Sequence, residues 1–427
     1  DRPNIDGLGY KILRKNIVGG KNVLTQAMIS SPNTIYEIRY DFDLNGKKIT
    51  IPEGCVLDFQ GGRLSNGVLI GNNTTILSEN SCFSNISFQG KFCGETKVKW
   101  FDIHYTSIYD NSKEICNAFE LAKLANKKIT FPSGIIYIDA HLPNDQQYCG
   151  FEGKIQLFDN CHVVLQNDTY IKVIPNDYRA YCVFSLANVN GCIIEGGNIV
   201  GDIDEHLGTT GEWGYGIGIY GSSNICIKNI YISNCWGDGI IFDSFKDKNK
   251  PYSFDDIVNT NAIVSNVHIK SCRRNNIAIG GVDGVLIENS TFENCGGSNP
   301  LYIEGEDWYY ASNIDLEADI DGYHEIRNVT FRNITTKVQR RGNSKDRFAD
   351  IQCQQAINPE TGRMNASHIK YENIRCERLK LSGYNTSVTN STITEVIDIN
   401  SAVGFNVSNC QLIGDVIIEG TPESENG

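Results

Sequence analysis

Apolar and polar residues alternate along this chain in short runs that end at Asn or Gly. The stretches "NICIKNIYISNC" (residues 224–235), "NAIVSNVHIKSC" (261–272), "GVLIENSTFENC" (284–295), "HEIRNVTFRNI" (324–334), "SHIKYENIRCERL" (367–379) and "GFNVSNCQLIGD" (404–415) share one form. Each is a short β-branched strand, an Asn or small polar corner, and a second alternating strand. Period-2 alternation predicts strands with one face buried, and Asn and Gly suit corners that need left-handed backbone. The units recur at intervals of about 23 to nearly 40 residues, so loops enter some turns. A single unit cannot bury its own apolar face, and stacking must supply the core. The pattern therefore predicts an all-β chain forming a right-handed parallel β-helix, with turns about 4.8 Å apart. An antiparallel sandwich is the alternative. It would need hairpin signals at steady spacing, and "LNG" (44–46) and "SNG" (65–67) are followed by no evenly spaced series of them.

Helical periodicity appears in one place, from Asp110. Asn111 or Ser112 can cap, and Ile115, Phe119, Leu121 and Leu124 form an apolar stripe. "NKKITFPSGIIYI" after this helix echoes an earlier "GKKITIPEGCVL". The chain thus begins a β-rich unit twice, and the expected division is a β-rich accessory domain over residues 1–96 and a solenoid over 97–427.

Composition narrows the function. Net charge is −13 and the basic residues are scattered, which argues against a nucleic-acid partner. No apolar run is long enough to span a membrane as a helix. The 15 cysteines include no C-x-x-C pair, which argues against zinc knuckles and redox motifs. Cys235, Cys272, Cys295 and Cys410 fall at one phase of the repeat, where an interior stack of thiols is expected; disulfides between turns are the alternative. No cofactor is called for.

Candidate chemistry follows from setting the central turns in register. With Ile217, Ile219, Ile240, Phe242, Ile277, Ile279, Ile314 and Leu316 inward, one outer column holds Gly218, Ile241, Ala278 and Asp315. A second holds Tyr220, Asp243, Gly280 and Glu317. Ala278 and Gly280 leave a floor between Asp243 and Glu317, about 10 Å apart at the backbone. Loops over residues 246–259 and 296–312 carry Tyr252, Phe254, Trp308, Tyr309 and Tyr310, and an upstream loop carries Glu205, His206, Glu212 and Trp213. Aromatic walls, a concave strip and several carboxylates are features of a sugar site. Asp243, Asp315 and Glu317 are the expected catalytic acids. Trp213, Tyr220, Arg273, Arg274, Gly280 and Trp308 are the expected sugar-binding positions. Against this stands the plainer expectation: outward acids solvated, Arg273 and Arg274 an exposed corner, His206 and His324 surface residues. A metal at Asp202, Asp204 and Glu205 competes with a solvated loop there.

From Val98 onward the chain resembles the pectate-lyase-like β-helix superfamily. "VKWFD", the helix and "PSGIIYI" are similar to that superfamily's N-terminal cap, although "YDNSKE" departs from its usual Asp-Asp-Thr. "NIDLEAD" (313–319) resembles a recurring "GIDxEP" strand, with Asp315 and Glu317 matching the acids, Asn313 in place of Gly and Ala318 in place of Pro. The first ninety residues also resemble N-terminal regions of gut-Bacteroides β-helix proteins, some of them prophage-borne. The superfamily includes pectate lyases, polygalacturonases, alginate lyases and epimerases, and tailspike depolymerases. The polygalacturonase, calcium-dependent pectate lyase and mannuronan epimerase motifs are incomplete here; "WGDG" (236–239) keeps one Asp and no Gly-His-Gly occurs. The resemblance implies a secreted or cell-surface carbohydrate-active protein, with a periplasmic or virion-associated location as the alternative, monomeric or homotrimeric and acting on a polysaccharide. A glycoside hydrolase is the first expectation. A polysaccharide lyase or a non-catalytic, tailspike-like adhesin is the alternative.

Overall fold

The computed structural model describes residues 7–105, 108–142, 152–246, 256–296, 311–318, 324–337, 350–354 and 364–419. They form two compact units, residues 1–137 with 161–169, and residues 138–160 with 170–427.

The first unit is built of short parallel strands. Thr34–Ile38 pairs in parallel with Gly9–Ile12 and with Val56–Phe59. The long strand Leu64–Ser78 pairs with Lys48–Thr50, Val56–Phe59 and Phe83–Cys93. Edge-to-face rings run through its core, Phe59 to Phe83 at 5.3 Å and Phe83 to Phe88 at 5.1 Å. The helix is Ser112–Lys123 and buries Ile115, Ala118, Phe119, Leu121 and Ala122. Its first amide, Ser112 N–H, donates to the Asp110 carboxylate at 3.0 Å. Asn111 is spent elsewhere, on the backbone of His104, Tyr109 and Tyr137.

The second unit is a right-handed parallel β-helix. One face stacks Ala180–Ala187, Trp213–Tyr220, Ile240–Asp243, Ile277–Ile279, Ile314–Glu317 and Ile351–Gln354, each parallel to the next. A second stacks Ile193–Glu195, Cys226–Lys228, Asn259–Ser265, Val282–Glu293, Ile326–Lys337 and Ala366–Tyr384. A third joins Asn198–Val200, Tyr231–Ser233 and His268–Lys270 to the far end of Val282–Glu293. The stacked strands of these three faces all pair in parallel, which rules out the sandwich, whose strands would run antiparallel.

Inside, like residues stack in register. Ile194, Ile227, Val264, Ile287, Phe331 and Tyr371 follow one another turn by turn, all fully buried. The Phe331 and Tyr371 rings lie nearly parallel at 5.2 Å. Cys235 and Cys272 join this interior as buried free thiols, and the described cysteines form no disulfide. At one corner Asn229, Asn266, Asn289, Asn333 and Asn373 all take φ between 52° and 56°. Their amides form a ladder, with Asn333 Nδ2 donating to Asn289 and Asn373 Nδ2 to Asn333, each at 2.8 Å. Among the described residues no helix is long and apolar enough to cross a membrane.

Candidate functional site

Strand pairing brings the acids to one strip of the solenoid's outer face. Gly218 pairs with Ile241, Ile241 with Ala278, Ala278 with Asp315, and Asp315 with Gln352. Tyr220 pairs with Asp243, and Gly280 N–H donates to Phe242 O at 2.9 Å, which continues the neighbouring column. Period-2 alternation fixes both columns, because the inward Ile and Leu residues leave their neighbours no other face.

Two of the three acids of this strip are buried, and Glu317 keeps 26% of its side chain exposed. Asp315 is 2% exposed and Asp243 8%. Burial, and then the Glu317 carboxylate, push the Asp315 pKa well above the usual carboxylate range, while a 2.9 Å bond from Gln352 Nε2 partly offsets this. Glu317 instead receives donors: Arg274 Nη2 at 3.0 Å and Asn275 Nδ2 at 3.3 Å. Two carboxyl groups two residues apart on one strand therefore meet different environments, the arrangement that separates an acid from a base.

Arg274 is shared. Besides Glu317, its Nη1 lies 3.7 Å from Asp238 and 3.8 Å from Glu212. The expected exposed corner at Arg273–Arg274 does not exist. Arg273 is buried, stacks on Trp236 with its guanidinium carbon 3.5 Å from the ring centroid, and donates to the backbone oxygens of Trp236 (2.7 Å) and Gly211. Asp238 is fully buried, and burial raises its pKa against the opposing pull of Arg274. Its carboxylate accepts Asn275 N–H at 2.8 Å, so Asp238, Asn275, Arg274 and Glu317 form one polar cluster.

Asp243 lies beside His324, Oδ1 to Nε2 at 3.5 Å, and its Oδ1 accepts Ser244 N–H at 2.7 Å. His324 is 7% exposed, which corrects the expectation of a surface histidine. Tyr220 is fully buried, its ring lying over Gly218, where an added Cβ would stand 2.6 Å from it. It forms covered floor with Tyr215, Ile241 and Ala278, and half-buried Trp213 packs against that floor. Trp308, with Tyr252, Phe254, Tyr309 and Tyr310, lies outside the described residues.

His206 is buried rather than superficial. Its Nδ1 lies 2.8 Å from Asp202 and its ring stacks on Trp236 at 3.6 Å. The upstream acids do not converge. Asp202 is buried and binds Tyr181 Oη and Asn176 N–H, Asp204 binds Asn234, and Glu205 pairs with Lys172. Among the described residues no group of three His, Cys, Asp or Glu side chains could hold a metal ion.

Sequence reasoning passed over Asp238 and Asn275. "WGDG" was the available signal for the first. Asn275 had none, because its role depends on meeting Glu317 from a different turn.

No family model matches the chain. The uncharacterized protein YclG of Bacillus subtilis (strain 168) is 34% identical over 218 residues, 48% of this chain and 35% of that protein. The SPbeta prophage-derived uncharacterized protein YorA of the same strain is 32% identical over 176 residues, 40% of this chain and 30% of that protein. The matched stretch thus spans about a third of each curated relative. Among solved structures, the tailspike protein gp49 of Acinetobacter baumannii bacteriophage Fri1, a capsular polysaccharide depolymerase, is similar at TM-score 0.47 and 15% identity, over 76% of this chain and 58% of that one. The pre-mature gene product 12 of bacteriophage phi29 is similar at TM-score 0.48 and 15% identity, over 78% and 46%. An iota-carrageenase complexed to iota-carrageenan fragments is similar at TM-score 0.40 and 12% identity, over 71% and 57%. These likenesses are weak, and the functional reading rests on the site's geometry.

Proposed function

We propose that this chain is an extracellular carbohydrate-active protein, a glycoside hydrolase that cleaves a polysaccharide lying along the strip between Asp243 and Glu317. The observation that carries this is the pair Asp315 and Glu317, one carboxyl buried with its pKa raised and its neighbour bonded by Arg274 Nη2 and Asn275 Nδ2. Glycoside hydrolysis needs one carboxylic acid and one carboxylate flanking the scissile bond. Asp315 donates its proton to the glycosidic oxygen as the C–O bond breaks. Glu317 takes a proton from the water that attacks the anomeric carbon.

A lyase reading is weaker on charge. Lyase chemistry needs a cation free to neutralise a uronate, and Arg274 is already surrounded by Glu317, Asp238 and Glu212. A neutral sugar suits this strip better than an acidic one. Incubation with a panel of polysaccharides tests the proposal. New reducing ends without unsaturated uronates, abolished in Asp315→Asn and in Glu317→Gln at unchanged folding, are expected. Unsaturated products would replace the hydrolase with a lyase. Glycan binding without any cleavage, equal in wild type and both variants, would replace it with an adhesin.

A further inference from the structure

The cluster behind the strip holds one acid that the hydrolysis itself does not use. Asp238 is fully buried, within the stretch "WGDG". Gly237 and Gly239 flank it, and neither position has room for a side chain. An added Cβ would stand 2.4 Å from Glu212 O at the first and 2.6 Å from Asn276 O at the second. Asp238 O accepts Gly216 N–H at 3.2 Å. The backbone of Asp238 is thus pressed between neighbouring coils, and its carboxyl group has one fixed place.

That place is joined to Glu317 by two routes. Arg274 puts Nη1 3.7 Å from Asp238 and Nη2 3.0 Å from Glu317. Asn275 donates its backbone N–H to Asp238 Oδ1 at 2.8 Å and its side-chain Nδ2 to Glu317 at 3.3 Å. The amide oxygen of Asn275 is fixed as well, by Ser312 N–H at 2.8 Å. The two residues that donate to Glu317 are therefore the same two that face Asp238.

An acceptor for one backbone N–H need not be an acid. Asp238 Oδ2 has no hydrogen-bond donor among the described residues, and burial opposes its ionisation. A buried carboxylate with so few donors is costly, and native chains rarely keep one without a reason. Arg274 supplies the reason. Facing Glu317 alone, its charge would make that carboxylate a poor base, because an opposite charge at this range favours the ionised form. Facing Asp238 as well, the charge is divided. Glu317 then stays fixed by both donors and retains the proton affinity that a general base requires. We infer that Asp238 is a positioning residue for the proposed hydrolysis: it anchors Arg274 and Asn275 against Glu317 and draws off part of the Arg274 charge. This inference rests on the hydrolase reading and adds a residue that touches no substrate.

Carboxyl 13C NMR on the full chain, labelled at the Asp and Glu carboxyl carbons, tests it without any glycan. The Glu317 signal is assigned by its loss in Glu317→Gln. Asp238→Asn keeps an oxygen for Asn275 N–H and removes the charge, so the Glu317 titration midpoint should fall by about one pH unit. Asp238→Ser is smaller and also neutral and should shift it the same way, so that a folding fault peculiar to the amide does not decide the result. Hydrolysis of linear β-glucan, mannan and galactan across pH reads the consequence. In both variants the acidic limb of kcat/KM should move down with the midpoint, kcat at the optimum should fall about three- to tenfold, and KM should not change. A merely structural role would lower the quantity of active enzyme and leave the limb in place. An unmoved Glu317 midpoint, or an unmoved limb in an enzyme that cleaves one of these glycans, overturns the inference and leaves the hydrolase reading standing. If wild type cleaves none of them, nor any other polysaccharide of the panel, the hydrolase reading falls, and the NMR midpoint alone then decides whether Asp238 governs Glu317.

Discussion

Arg274 reaches across 43 residues of chain to place Nη2 3.0 Å from Glu317 Oε1. The same guanidinium faces fully buried Asp238 at 3.7 Å. Removing it leaves two carboxylates without their cation in a largely water-free cluster. Breaking a buried pair from one side costs roughly 3–5 kcal/mol, and Arg274, with 21% of its side chain exposed, belongs at the lower end. Arg274→Met should therefore lose about 3 kcal/mol in urea denaturation. In the double variant Arg274→Met/Glu317→Leu the loss should be smaller than the sum of the two single losses. Strict additivity would show that the pair is not coupled.

Gly280 and Gly281 are adjacent, yet they should respond oppositely to substitution. Gly280 keeps ordinary extended backbone, and a Cβ there would meet Glu317 O at 3.4 Å, Phe242 O at 3.6 Å and His324 Nδ1 at 3.8 Å, which are normal contacts or nearly so. Gly281 has φ +53°, and its Cβ would stand 2.1 Å from Ser244 Oγ. Gly280→Val should melt near wild type while its methyl groups fill the strip and abolish glycan binding. Gly281→Ala should cost about 1–3 kcal/mol through backbone strain. Full glycan binding by a stable Gly280→Val protein would remove the sugar from this position.

What the sequence made legible was whatever alternation determines. The columns through Ile241, Ala278 and Asp315 follow from which residues are apolar, because a strand has only two faces. What it hid were the side-chain meetings between turns. Tyr220 sits at its expected register position, yet its ring folds over Gly218 and is fully covered. Arg273 and Arg274 are neighbours in sequence, but one stacks on Trp236 and the other joins the acids. Neither outcome follows from local pattern, since the partners lie roughly 37 to 43 residues away. Burial of Asp243 and Asp315 was hidden for the same reason.

Asp315 should display a conflict between function and stability. Burial and the Glu317 charge raise its folded pKa above the unfolded value of 3.8. Between those two values the folded chain binds more protons than the unfolded chain, so stability falls as pH rises through that window. Asp315→Asn removes this titration. The variant should lose turnover, and its stability relative to wild type should improve from pH 4 to pH 7. A variant whose relative stability does not change with pH would show that Asp315 ionises as easily in the fold as outside it.

Asp350 offers the same test with a defined window. Asn313 donates to its Oδ1 at 2.7 Å, and Thr336 Oγ1 and Glu377 N–H donate to its Oδ2. Burial nonetheless dominates and lifts its pKa from 3.8 to about 6. A rise of that size corresponds to roughly 3 kcal/mol. The sign is that of a carboxyl kept neutral by the fold: the benefit is complete below pH 3.8 and is lost as pH passes about 6. Asp350→Asn keeps one acceptor and turns an amino group towards the remaining donors, so it should be less stable than wild type at pH 4. Because it cannot ionise, its deficit should shrink by roughly 2.4 kcal/mol between pH 4 and pH 7, the rest of the change lying below pH 4. Urea denaturation of both proteins at four pH values measures this, provided Asp315 is left unchanged in each so that its own titration cancels. A deficit that is constant across the series would mean that the donors around Asp350 hold it ionised throughout, and that burial does not govern its charge.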